Sequence, residues 1–157
     1  AERILGQIEH YRVRRAPYFA AVRDLVRECM LGGELDLLRD VNARSLGLTC
    51  DYMGIPVQMD ILSEMGLSLP PVTEPGQWAL EISAALGADE YLNPPNGRGL
   101  FDEKAFKERN IRLSFTELPD FTYRCEPYTF VPHLSILDVL MWNEPADVRA
   151  FLHRDPR

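Results

Sequence analysis

"GADEYLNPPNGRGLFDEKAF", residues 87–106, is the stretch on which the fold turns. A short apolar run at Glu90 to Leu92 reads as a strand. It enters a loop of Asn93, Asn96, Gly97, Arg98 and Gly99, and the chain turns helical at Asp102. Strand, glycine-bearing loop and helix start are three parts of a βα unit. In open α/β sheets, ligands lie beyond the carboxyl ends of the strands, which is where such a loop falls. Glycines admit backbone conformations closed to other residues and the close approach of a ligand. A helix start offers free N–H groups and the positive end of the helix dipole. Arg98 can fork onto a phosphate or carboxylate, and Asn93 and Asn96 can read hydroxyl or amide groups. The competing reading is a tight left-handed turn with a surface arginine. The loop matches neither GxGxxG nor a Walker pattern.

The flanking sequence extends the alternation. Ile4, Leu5, Ile8 and Tyr11 recur at helical spacing and predict a helix over 2–12. Pro17 suits the first turn of a second helix, whose face is Phe19, Val22, Leu25, Val26 and Cys29, and Gly32-Gly33 ends it. A third helix is expected from about Leu35 to Met53, with Leu38, Val41, Leu46 and Cys50 inward and Gly54 as its stop. "IPVQMDIL" alternates and predicts a strand at 55–62. A helix carrying Leu80, Ile82 and Leu86 follows, ending at Gly87. After the opening stretch come a helix capped by Asp102, a left-handed stop at Asn110, and a strand from the alternation Ile111, Leu113, Phe115. Ser135 caps a later helix, and a last one starts near Pro145. This order predicts an α/β fold, Rossmann-like, with a mostly parallel sheet flanked by helices.

Composition sets the class. The 157 residues suit a single domain with a sizeable core. Hydrophobic residues are 46% and charged residues 26%, a globular balance. A net charge of −7 and a pI near 5.0 argue against nucleic acid or an anionic membrane as partner, although a small phosphate site needs only local donors. No apolar run is long enough to span a bilayer. The three cysteines, Cys29, Cys50 and Cys125, have no metal-ligand or disulfide spacing, so reduced thiols, a cytoplasmic location and no metal are expected. The chain opens Ala1-Glu2-Arg3 without Met, directly on a helical pattern. That predicts trimming or a missing amino-terminal segment, so that these residues are one α/β domain or its carboxyl-terminal portion.

Other residues are candidates for chemistry. In "FVPHLSILDVL", His133 and Asp138 can form an oriented general base. The opposing reading has Ser135 as the cap, Asp138 as a negative charge at the dipole's positive end, and His133 as a loop residue; capping logic favours it. Asn42 and Arg44 stand mid-helix, where Asn is a poor choice unless it projects into a cleft or faces solvent. Arg12 to Arg15 form a short basic cluster, read as a solvated helix end. Cys50 reads as core rather than nucleophile.

Four stretches in this order resemble the WbqC-like protein family: "APYF" at 16–19, "VNARSLGLTCDYMGI" at 41–55, "LGADEYLNPPNGRGLFDEKAFKERNIRLSF" at 86–115 and "FVPHLSILDVLMWN" at 130–143. They resemble a buried Asn-containing helix, a strand leading to a glycine-rich loop that ends in Asp, and a Pro-x-x-Ser-x-x-Asp element. The family's usual opening, a strand into a Gln-Pro motif, has no counterpart here, so the likeness is to the later part of the family. His133 replaces an aromatic residue common among relatives, and Trp78 lies near a common Arg. The resemblance implies an amino-acyl, glycine-type transferase acting on an amino sugar or similar small amine in O-antigen, other polysaccharide or natural-product biosynthesis. A nucleotide-activated substrate goes with that reading, and no further cofactor. Asp102, Asp138 and His133 are then the candidate catalytic groups. Asn42, Arg44, Asn93, Asn96, Gly97, Arg98, Gly99 and Ser135 are the candidate substrate contacts, with Asn42, Asn93, Asp102 and Asp138 expected around one cleft. The alternative is a non-catalytic module that binds a sugar nucleotide, an amino-terminal segment or a partner chain.

Overall fold

The computed structural model describes residues 2–32, 37–116 and 120–153. Helices α1 (Glu2–Gln7), α2 (Glu9–Val13), α3 (Phe19–Leu31) and α4 (Leu38–Met53) come first. A 3-10 turn at Leu62–Glu64 precedes α5 (Gln77–Ala85), strand β1 (Glu90–Asn93), a 3-10 turn at Pro95–Leu100, α6 (Glu103–Glu108) and strand β2 (Arg112–Phe115). Helices α7 (Ile136–Trp142) and α8 (Pro145–Leu152) complete the order. The chain divides into two compact units. Unit 1 is Ala1–Met59 with Asp120–Asp155, and unit 2 is Asp60–Pro119.

Unit 1 is helical. The face predicted for α3 is its buried face, with Val22 fully enclosed and Phe19, Leu25, Val26 and Cys29 beside it. These residues share a core with Leu140 and Met141 of α7, Val148 of α8 and Met53 of α4. Burying side chains of this size stabilises by about 1.5–3 kcal/mol each. The Tyr18 N–H donates to the Met141 carbonyl (3.2 Å), tying the start of α3 to α7. The helix predicted over 2–12 is broken by a turn at Ile8, which is buried. The expected start of α4 at Leu35 lies outside the described residues. Gly54 stops α4 in a left-handed conformation (φ 67°).

The inward face expected of α4 needs correction. Leu38 is 75% exposed and Leu46 53% exposed, while Val41 and Cys50 are half-buried. The predicted strand at 55–62 is also absent. Its residues are mostly exposed and pair with no strand. Pro56 removes a ladder donor near the start of the run. Met59 instead lies over α4 at Gly47, where an added Cβ would sit 3.3 Å from its Cε. Alternation there reports contact with a helix and with solvent, not pleating.

Unit 2 is a βαβ element with α5 packed on it. Strands β1 and β2 run parallel, with Glu90 opposite Arg112 and Asn93 opposite Phe115. The described residues carry a parallel sheet of two strands, smaller than the mostly parallel, Rossmann-like sheet expected from the alternation, which counted a third strand at 55–62. Phe106 of α6, Leu80 of α5 and Ile111 form the core, closed by Tyr91, Phe101 and Leu113. Three of these rings meet at 5.5–6.0 Å between centroids, a spacing at which edge-on aromatic contacts add to area burial. Asn110 is left-handed (φ 58°), as expected, and reverses the chain from α6 into β2.

Candidate functional site

The loop 93–101 is more ordered than a glycine-rich flap. Its Pro95–Leu100 segment winds as a 3-10 turn, and neither Gly97 nor Gly99 has a positive φ. The left-handed freedom expected of these glycines is not used. Gly97 is small because Asn93 and Phe101 occupy the space a Cβ would take. Its N–H donates to the Pro94 carbonyl (3.2 Å), so it is not a free anion donor. Asn93 is committed locally as well. Its Oδ1 accepts from Tyr91 Oη (3.1 Å), and its Nδ2 donates to the Pro94 carbonyl (2.9 Å). Asn96 and Gly99 are exposed.

Arg98 stands apart. Its guanidinium carbon lies 4.2 Å from the centroid of the Phe115 ring, in cation–π range. It makes no ion pair among the described residues, and Lys107 of α6 makes none either. Both line a cleft of about 690 Å³ with Glu103, Arg112, Ser114 and Phe115. Arg112 is neutralised by Glu90 through two bonds (3.1 and 2.8 Å), and Ser114 Oγ donates to the same carboxylate (2.6 Å). The Ser114 hydroxyl, and then Arg112, hold the Glu90 carboxyl below the usual range. The cleft thus keeps two uncommitted cations, Arg98 and Lys107, against one carboxylate, Glu103.

Most of the remaining candidates have partners of their own. Asp102 caps α6, its Oδ1 accepting from the N–H groups of Lys104 (2.9 Å) and Ala105 (3.3 Å). It lines a different cavity, about 480 Å³, with Glu74, Glu81 and Glu108. In unit 1, Asn42 is exposed, which corrects the buried Asn-containing helix: no enclosed amide there calls for a partner. Arg44 closes the end of α3, its Nε donating to the Glu28 carbonyl (3.0 Å), and its guanidinium fills the space beside Gly32. Ser135 caps α7, its Oγ accepting from the Leu137 N–H (3.2 Å). His133 is exposed and left-handed (φ 57°), at 4.0 Å from Asp120. Asp138 does not pair with it. It accepts from Tyr11 Oη (2.5 Å) and from Tyr123 Oη.

Arg98 is the sequence candidate that lines this cleft, and its neighbours there are not among the candidates. The alternation places Phe115 in a strand, and no spacing singles out Lys107. Their convergence depends on the parallel register, which no local spacing encodes. Among the described residues, no three His, Cys, Asp or Glu side chains gather to hold a metal ion. No helix among them is long and apolar enough to cross a membrane.

A family model described as the WbqC-like protein family matches residues 1–150. The chain is also similar to a protein of Mycobacterium tuberculosis named "Uncharacterized protein Rv1507c", at 26% identity over 138 residues. That match covers 87% of this chain and 58% of the relative, so the chain spans little more than half the relative's length. No solved structure matches.

Proposed function

The chain belongs to the WbqC-like protein family, and from that premise we propose that it serves an amino-acyl transfer to a small amine, with the cleft of unit 2 holding the anionic carrier of the acyl group. The observation that carries this is Arg98, its guanidinium carbon 4.2 Å from the Phe115 ring centroid and without an ion pair among the described residues, with Lys107 lining the same cleft. A guanidinium carries five N–H donors in a rigid fork that matches a phosphate or carboxylate. In the transfer, the amine nitrogen attacks the acyl carbon and a C–N bond forms. The bond to the carrier breaks, the carrier leaves as the anion, and the amine's proton passes to a base. Positioning of both reactants in a ternary complex suits a site with no activated nucleophile. A nucleotide-activated carrier and an amino-sugar acceptor are the substrate classes this reading favours.

A binding module without chemistry is the second reading. It is favoured by the poverty of proton acceptors in the cleft, where Glu103 is the carboxylate that remains uncommitted.

The test is a titration of the purified chain with uridine diphosphate, followed by NMR, for the parent and Arg98→Ala. Losing a bond to a charged group costs about 1.5–3 kcal/mol, which is roughly tenfold or more in Kd. The melting temperature should hardly move, because Arg98 is exposed. Unchanged affinity, or unfolding of the variant, refutes the assignment. Binding without turnover of an acyl donor selects the second reading.

A further inference from the structure

The carboxylate of Asp138, in the first turn of α7, is half-buried and has no cationic partner among the described residues. Its two hydrogen bonds come from the hydroxyls of Tyr11 and Tyr123. Burial first, then the bond to Asp138, pushes both phenols well above their ordinary range, so both remain donors. A carboxylate offers about four lone-pair positions, and two are left. A half-buried charge with neutral donors alone is only partly compensated.

Asp138 lines a pocket of about 200 Å³ in unit 1, together with Tyr11, Tyr128, His10, Cys125 and Leu134. Liquid water occupies about 30 Å³ per molecule, so the pocket has room for roughly six or seven waters. That is the size of a small amine and far below that of a nucleotide. Its walls are aromatic. Tyr11 and Tyr128 meet at 6.4 Å and 74°, and Trp142 stands behind both at 6.3 and 6.2 Å. The Tyr128 ring already receives one cation, the guanidinium of Arg14 at 5.8 Å. His10 fixes the Tyr128 hydroxyl through Nδ1 (2.9 Å).

We propose that this pocket binds a small ammonium group, its charged nitrogen held by the Asp138 carboxylate and the rings of Tyr11 and Tyr128. A carboxylate supplies the counter-charge, and ring faces attract a cation that has shed part of its water. A neutral alcohol of the same shape gains the apolar contact and one hydrogen bond to the carboxylate, without the charge attraction. The inference stands on unit 1 alone and does not depend on the transfer reading.

The experiment compares n-propylammonium with n-propanol, followed through the indole N–H resonance of Trp142, with Trp78→Phe used to assign it. Propylammonium should give a saturable shift, and propanol should bind at least tenfold more weakly. Asp138→Asn keeps an acceptor for the tyrosines but removes the charge, and should weaken propylammonium at least tenfold. Leu134→Trp fills the pocket from its exposed rim and should abolish the shift with Asp138 intact. Equal response to the alcohol, undiminished affinity in Asp138→Asn, or no saturable shift in the parent overturns the proposal. Should Asp138→Asn not fold by circular dichroism, the alcohol comparison and Leu134→Trp decide the matter.

Discussion

Replacing Gly76 by alanine separates two effects of opposite sign. Gly76 has φ −68° and ψ −21°, a right-handed conformation open to any residue. On backbone grounds alone, alanine should stabilise by about 0.4–1 kcal/mol by narrowing the unfolded ensemble. The obstacle is space. A Cβ at Gly76 would collide with the carbonyl oxygen of Leu100 and sit 2.8 Å from its carbonyl carbon. That carbonyl is backbone and cannot rotate away like a side chain. It belongs to the same 3-10 turn as Arg98, so relief means moving the turn. Overpacking of this kind costs about 1–3 kcal/mol. The net expectation is a loss of about 1–2 kcal/mol, or roughly 3–6 °C in melting temperature for a chain of this size. Anion binding in the cleft should weaken in parallel, because Arg98 shifts with the turn. Gly99→Ala is the control: nothing lies within 4 Å of its added Cβ, and its φ is not positive. Thermal denaturation and the same titration read both variants. A Gly76→Ala protein as stable as its parent would refute the packing argument.

Two further outcomes follow from the local geometry. Asp102→Ala should cost about 1 kcal/mol through lost capping of α6, and Asp102→Asn, which can still cap, should recover most of it; if Asn fares no better than Ala in thermal melts, the charge rather than the cap is at work. Ultraviolet titration of the native chain should leave Tyr11 and Tyr123 protonated beyond the ordinary value of 10.0, whereas the unfolded chain releases those protons near it. The folded state then binds more protons above pH 10, so the stability these phenols contribute is complete below that pH and drains away as pH rises towards their folded values. Ordinary titration of all six tyrosines in the folded protein would contradict the Asp138 geometry.

What could be read from the sequence was what neighbours in the chain decide. The caps at Asp102 and Ser135, the left-handed Asn110, the buried face of α3 and both strands of unit 2 all rest on spacings of a few residues. Failures began where a pattern had two physical causes. Alternation at 55–62 arises over a helix, and the glycines of 97–99 serve close packing or none at all. Leu38 and Leu46 follow helical spacing yet face outward. The partners of Asp138 were beyond reach for another reason: Tyr11 is 127 residues away in the chain, and no periodicity links the two.

Unit 1 is discontinuous, with all of unit 2 lying between its two parts in the chain. That ordering bears on how the protein is made. A growing chain displays α3 and α4 well before α7 and α8 exist, so the faces meant for Leu140, Met141 and Val148 wait exposed. Unit 2 is contiguous, and its strand pair closes over about twenty residues, so it is expected to be structured while unit 1 is still open. The bond from Tyr11 to Asp138 joins segments 127 residues apart in the chain, and in pulse-labelled hydrogen exchange on the nascent chain its region should gain protection later than unit 2.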